Sequence, residues 1–189
     1  MKNLFIAVLL FATSPLFAQE EQTQVEPVSK FDRSKLVFGG QAGAAFSDGY
    51  TFIRLSPQVG YRVTNWATVG TGINFIYSSQ AYSYYSFDDS RYKLGYAGLN
   101  VFGRIHPLNF LFVLAQPELN YRWGKLDFKG DTYADQKEKG SFVPSFLVGG
   151  GVVLGSQGRG TALSIQYDLL NNDKTPYGKT WFFNIGYIF

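Results

Sequence analysis

From residue 34 to residue 189, apolar and polar side chains alternate with a period of two. The clearest run sets Thr51, Ile53, Leu55, Pro57, Val59, Tyr61 and Val63 against Phe52, Arg54, Ser56, Gln58, Gly60 and Arg62. This period puts the two sets on opposite faces of a β-strand. The runs 67–77, 115–123, 161–169 and 181–189 repeat the pattern. Eight strands are predicted, at about 34–46, 50–63, 66–79, 91–105, 109–124, 141–155, 160–170 and 179–189. Two are less regular. The phase of Tyr92, Leu94 and Tyr96 disagrees with that of Leu99, Val101 and Ile105, which calls for a bulge near Ala97-Gly98. Gly149-Gly150-Gly151 blurs the faces of its strand and marks strong curvature.

These strands are longer than the roughly 5–6 residues usual in soluble proteins. An oblique bilayer crossing takes about 9–11 residues. The connections at 64–65, 106–108 and 156–159 are tight, whereas those at 80–90 and 125–140 are long. Leu126 and Phe128 continue the alternation, so the second long connection is expected to protrude as a hairpin. Short turns on one side, longer loops on the other and an even strand count describe an outer-membrane barrel. In lipid every backbone group must be bonded within the sheet, so the sheet must close. The fold class expected is all-β, an eight-stranded antiparallel up-and-down transmembrane β-barrel.

Two further features favour a barrel turned apolar side outward. Tyr61 and Tyr187 fall near the turn side of the apolar faces. Tyr77, Tyr121, Trp123, Tyr167 and Trp181 fall near the loop side. Interfacial rings prefer two such girdles. The opposite phase carries Arg54, Arg62, Arg104, Glu118, Arg122 and Asp168. An eight-stranded barrel has an interior only wide enough for side chains. These residues are therefore expected to form a packed polar network, with Glu118 held by one or more of Arg54, Arg104 and Arg122.

Composition explains itself on this plan. Charged residues are 16% and aromatic residues 18%, yet mean hydropathy is only -0.07. Half the strand positions face lipid and half a polar core, so the averages cancel. Heavy aromatic content excludes disorder. Cys is absent, which removes disulfides, thiolate metal sites and a Cys nucleophile. The net charge of +3 comes with no basic stripe, so no nucleic-acid partner is expected. Met1-Lys2-Asn3, the apolar run Leu4 to Phe11 and a small residue at Ala18 follow the plan of a cleaved secretory signal peptide. Residues 1–18 are read as that signal, 19–33 as a flexible periplasmic lead-in and 34–189 as the barrel.

The architecture and the alternating C-terminal strand ending in Phe189 resemble the small OmpA/OmpX-type eight-stranded outer-membrane β-barrels. The resemblance is nearest to the outer membrane β-barrel domain family of Bacteroidota and spans 34–189. It implies that Ile185, Tyr187 and Phe189 are read by the barrel-assembly machinery as an assembly signal. It departs from the family pattern where Asn184 stands five residues before the end and the glycine is Gly186. The resemblance implies a bacterial outer-membrane protein of the Gram-negative cell envelope, bathed in lipid and lipopolysaccharide. It also admits an accessory role in secretion.

Enzyme chemistry finds little support. The sole His, His106, reads as a turn residue beside Pro107. Asp88-Asp89 and the run Asp127, Asp131, Asp135, Glu138 read as solvated loop, interspersed with lysines, rather than as a cation site. The glycine triplet lacks a following helix and Lys-Ser/Thr, so phosphate binding there is not supported. No cofactor and no metal are expected. Tyr82, Tyr84 and Tyr85, in a Tyr- and Ser-rich loop, suit adaptable recognition. The leading function is a non-enzymatic, monomeric surface-interaction or structural barrel acting through loops 80–90 and 125–140. The alternatives are a narrow channel or carrier for small solutes and a soluble lipocalin-like ligand-binding barrel. Inward Phe52, Phe110, Phe112 and Phe182 argue against a continuous lumen.

Overall fold

A computed structural model describes residues 31–84, 87–128, 135–156 and 159–189, and the side chains within these ranges except 82–89 and 156. The signal peptide and all but the last residues of the lead-in lie outside the described residues. A short 3-10 turn, Arg33–Lys35, opens the barrel. Eight strands follow: β1 Leu36–Ser47, β2 Tyr50–Arg62, β3 Ala67–Tyr84, β4 Phe87–Leu108, β5 Leu111–Phe128, β6 Gln136–Ser156, β7 Arg159–Asp168 and β8 Phe182–Ile188. Each pairs antiparallel with its neighbour, and β8 returns to β1 through Gly39↔Ile188 to Ala42↔Ile185, closing the barrel. Closure leaves no free sheet edge through the middle of the molecule, as a nonpolar surrounding requires.

Period-two burial is plainest along β2, β5 and β8. In β5, Phe112, Leu114, Gln116, Glu118, Asn120 and Arg122 are buried, while Val113, Leu119, Tyr121 and Trp123 are exposed. The exposed set includes Phe183 at 79% and Leu99 at 64%. A soluble sheet would bury these residues. Here the largest apolar side chains point out and many amides point in.

The interior is layered. At the end carrying the tight turns, Val37, Phe102, Phe112, Leu114, Val153, Ala162 and Ile188 form one apolar cluster. Toward the loop end, Ile76, Tyr96, Leu147 and Tyr177 form a second, with Phe52, Leu94 and Phe182 packed against it. The polar layer lies between. The expected packed polar network thus occupies the middle of the interior, and inward apolar residues, among them Phe52, Phe112 and Phe182, gather at its two ends.

This layering also removes the bulge expected near Ala97-Gly98. The register of β4 runs unbroken through that point on both sides. Leu94 and Tyr96 are inward apolar residues of the loop-end cluster, whereas Leu99 and Val101 are outward ones. One phase serves both. The register of β4 shifts instead near its two ends, against Tyr82 and Tyr84 of β3 and between Ile105 and Leu108, where Pro107 has no N–H for the ladder. The His106 turn is corrected with it: β4 continues through Leu108, and the turn is Asn109-Phe110. Phe110, expected inward, is exposed on that turn at 57%.

Both long connections are mostly strand. The 80–90 segment carries β3 to Tyr84 and restarts at Phe87, and the 125–140 segment carries β5 to Phe128 and restarts β6 at Gln136. These hairpins rise past the neighbouring strands. β7 pairs with β6 only from Leu147 to Ser156, so β6 from Gln136 to Phe146 stands above β7. The last strand is shorter than expected, and Trp181 lies just before it.

Candidate functional site

The centre of the barrel is a hydrogen-bonded layer built around Glu118. Arg54 Nη2 and Gln116 Nε2 donate to its Oε1 at 3.0 and 2.7 Å. Asn120 Nδ2 and Tyr177 Oη donate to its Oε2 at 3.1 and 2.6 Å. The Arg54–Glu118 ion pair is wholly removed from solvent. Arg54 Nη1 also donates to Gln41 Oε1 at 3.2 Å and Asn184 Oδ1 at 3.0 Å. A buried charge pair is tolerable only when most of its remaining donors and lone pairs are met; these contacts satisfy both Glu118 oxygens and both Arg54 Nη groups, and leave Arg54 Nε without a partner.

Amides extend the layer around the wall. Asn74 Oδ1 accepts from Ser56 Oγ and from Asn100 Nδ2, and Asn74 Nδ2 donates to Asn120 Oδ1. Gln58 Nε2 donates to Gln116 Oε1, and Gln166 Nε2 to Gln41 Oε1. Seven of the eight strands thus contribute, all but β6. Amides suit this place because each both donates and accepts without a charge to desolvate. Asn74, Gln116, Asn120 and Gln166 are fully buried, so the layer is packed solid.

The singled-out charges divide four ways. Arg54 and Glu118 form the hub. Arg122 belongs to a second group at the loop end: its Nη1 donates to Glu138 Oε1 at 2.6 Å and its Nη2 to Tyr92 Oη at 2.8 Å, while Tyr92 donates to Glu138. Glu138, read from sequence as loop, stands in β6. Asp168 meets no arginine among the described residues. Its Oδ1 accepts the backbone N–H of Phe146 and Leu170, and its Oδ2 the Thr175 hydroxyl at 2.7 Å. Arg62 and Arg104 lie at the turn end, away from the hub, lining a small cavity with His106.

The 169–181 connection does what the sequence did not suggest: it enters the barrel. Tyr177 is buried, stacks on Phe182 at 4.7 Å between centroids, and lies 5.1 Å from the Arg54 guanidinium carbon. Tyr96 Oη donates to the Lys174 carbonyl, and the Thr175 and Ser145 hydroxyls pair at 3.3 Å. Gly178, at φ 66°, lets the chain turn back out. The segment is a built-in stopper whose Tyr177 completes the Glu118 shell. An aromatic residue between Pro176 and Gly178 in an otherwise polar loop was the available signal.

Outside, Tyr77, Tyr121, Trp123, Trp181 and Tyr187 are exposed, and Tyr61 and Tyr167 partly so. Tyr167 and Trp181 rings meet at 5.2 Å, and Tyr121 packs against Trp123 and Phe142. Trp123 lies over Gly95, where a Cβ would fall 2.3 Å from the indole. Ile185 and Tyr187 on β8, and Phe189 just beyond it, all point outward, and the Phe189 N–H donates to the Phe38 carbonyl. Beyond the loop-end belt, Lys93 and Lys125 both hold Asp127, at 2.6 and 2.7 Å, and Lys125 also holds Asp135 at 2.8 Å. Hydrogen bonds from Lys125 hold the Asp127 and Asp135 carboxyls below the usual range, and those to Asp127 and Asp135 raise Lys125. The side chains of Tyr82 and Tyr84, and Tyr85 entirely, lie outside the described residues, as do those of Asp88, Asp89 and Asp131. Among the described residues no three His, Cys, Asp or Glu side chains gather as metal ligands.

No family model matches the chain, and no curated protein matches its sequence. Among solved structures it is similar to Ail, the attachment invasion locus protein of Yersinia pestis, in its complex with the heparin analogue sucrose octasulfate. Identity is 12%, the match covers 82% of this chain and 96% of that one, and the TM-score is 0.47.

Proposed function

We propose that this chain is an integral outer-membrane protein, exported by a cleaved signal peptide, that acts without catalysis as a structural or surface-interaction barrel. The observation that carries this reading is the inverted barrel: a closed wall with large apolar side chains outside and a buried, hydrogen-bonded polar layer inside. Water would penalise the outside, and a lipocalin-type carrier would need the reverse arrangement. The aromatic residues at both ends of the wall fit two membrane interfaces.

The β3–β4 and β5–β6 hairpins are the parts that reach past the wall, and they carry the surface role. The fully buried amide layer and the Tyr177 stopper oppose the passage of solutes. Lipid and lipopolysaccharide surround the wall, the barrel-assembly machinery inserts it, and it works as a monomer. Fractionation with a carbonate wash and a heat-modifiable gel shift test the placement. Recovery in the washed outer membrane with a faster-migrating unheated band supports it, and recovery in the soluble fraction contradicts it. Planar-bilayer recording tests the sealed interior: steady conductance from the wild-type chain would contradict it.

A further inference from the structure

Among the described residues, Arg104 is the buried arginine that no hydrogen bond or ion pair engages. It is 6% exposed, and no hydrogen bond or carboxylate reaches it among the described residues. Its Nε is buried without a partner. Its guanidinium carbon lies 5.2 Å from the ring centroids of both Phe102 and Phe112. Aromatic faces offset part of the cost of burying the cation. They do not accept the five N–H donors that project from the edge of the guanidinium plane. A buried cation left in that condition is expensive unless something negative reaches it.

The surroundings supply a place for such a group. Arg104, Arg62, His106, Asn65, Asn109 and Thr68 line a cavity of about 30 Å³ at the turn end. That is room for roughly two water-sized atoms beneath an open mouth, enough to seat one or two oxygens of a compact oxyanion whose remaining oxygens stay at the mouth, and too little for a metabolite. No carboxylate lines it. His106 Nδ1 is also buried without a partner. Every acidic side chain found inside the barrel is committed elsewhere: Glu118 to Arg54, Glu138 to Arg122, and Asp168 to Thr175 and two backbone amides.

We propose that the turn-end mouth of the barrel is an anion site, in which Arg104, Arg62 and His106 hold a single compact phosphate-like oxyanion. Arg104 supplies the buried, edge-on donors and Arg62 a second charge at the rim. His106, Asn65 and Asn109 offer further polar contacts. Two sources share this chemistry: free inorganic phosphate, and the phosphodiester headgroup of an acidic phospholipid at the adjoining membrane face. The site is inside the barrel, so its existence does not depend on the membrane placement proposed above. Only the lipid source does.

The test uses the full chain refolded in zwitterionic detergent without phosphate, with arginine side-chain Nε–H signals observed by NMR. Inorganic phosphate is titrated at constant ionic strength. A saturable shift of Arg104 and His106, with Arg122 unmoved at the far end, is the expected result. Arg104→Met should weaken the response about tenfold or more, since charge-assisted bonds dominate such sites. If that variant fails to refold, Arg62→Gln at the half-buried rim gives the same direction of change. A second arm compares nanodiscs of phosphatidylglycerol with phosphatidylcholine, without added phosphate. A shift only with phosphatidylglycerol assigns the anion to a headgroup, and one only with inorganic phosphate assigns it to solution. Absence of a saturable shift in both arms, equal shifts at Arg122, or responses unchanged in a folded variant would overturn the proposal.

Discussion

Replacing Glu118 with leucine keeps a similar volume at the centre of the barrel and removes its charge. In the native protein that carboxylate accepts from Arg54, Gln116, Asn120 and Tyr177. Its loss leaves the Arg54 guanidinium buried with only the carbonyl oxygens of Gln41 and Asn184. Breaking a buried pair from one side costs about 3–5 kcal/mol. Arg54→Met is the milder change, because Glu118 keeps three donors. A loss of about 1.5–3 kcal/mol, the usual scale for a hydrogen bond to a charged group, is expected. The double variant has no stranded charge, yet Gln116, Asn120 and Tyr177 still lack their acceptor. It should therefore fall well short of the sum of the singles without returning to the native value. Urea unfolding of the refolded chain, followed by fluorescence of the outward Trp123 and Trp181, gives all three differences. A cost below about 1 kcal/mol for Glu118→Leu, or single losses that simply add in the double variant, would show that Glu118 is not the hub of the layer.

Tyr177→Phe keeps the stack on Phe182 and removes only the hydroxyl at Glu118. It should lower stability by about 1.5–3 kcal/mol and loosen the stopper; faster amide exchange at Thr175 in urea-free solution checks this, and unchanged exchange counts against it. The Lys125 clamp at the β5–β6 hairpin should depend on pH in two directions. Asp127 and Asp135 are depressed, so their contribution holds above the unfolded carboxyl value of about 3.9 and fades as pH falls through the folded value. Lys125 is raised, so its contribution holds below about 10.4 and is lost as pH climbs beyond it. Amide 15N relaxation at Lys125 to Phe128 should be flat from about pH 5 to pH 9, with added mobility below about pH 4. Rigidity unchanged after both carboxylates are removed in Asp127→Asn/Asp135→Asn would show that the clamp orders nothing.

Strand number, direction, phase and closure were legible in the sequence because a side-chain period of two is the direct record of a two-faced wall. Ile53 and Arg54 sort themselves to opposite faces with no further information. What was not legible depends on position along the barrel axis rather than on phase. Tyr92 and Tyr96 share the inward phase with Asn100, yet the ends of the interior admit aromatic residues while the middle takes amides. A reading by phase alone mistook that change for a bulge. Pairing was equally hidden: Arg54, Arg104 and Arg122 are all inward arginines, and axial level alone sends the first to Glu118, the third to Glu138 and the second to neither. The inward turn of Tyr177 was out of reach for another reason. A loop residue has no alternation to betray where it points, and its partner Glu118 is far away in sequence.

Spin labels placed singly along β4 report whether the apolar face of this barrel lies in lipid. The chain contains no cysteine, so Leu99→Cys, Asn100→Cys and Val101→Cys each give one unambiguous label. The barrel is reconstituted in bilayers, and collisions with dissolved oxygen, which concentrates in lipid, are compared with those of a water-soluble nickel chelate. The account predicts that labels at 99 and 101 meet oxygen and exclude the chelate, while the label at 100 is shielded from both. Free access of the chelate to 99 and 101 would place that face in water and contradict the account.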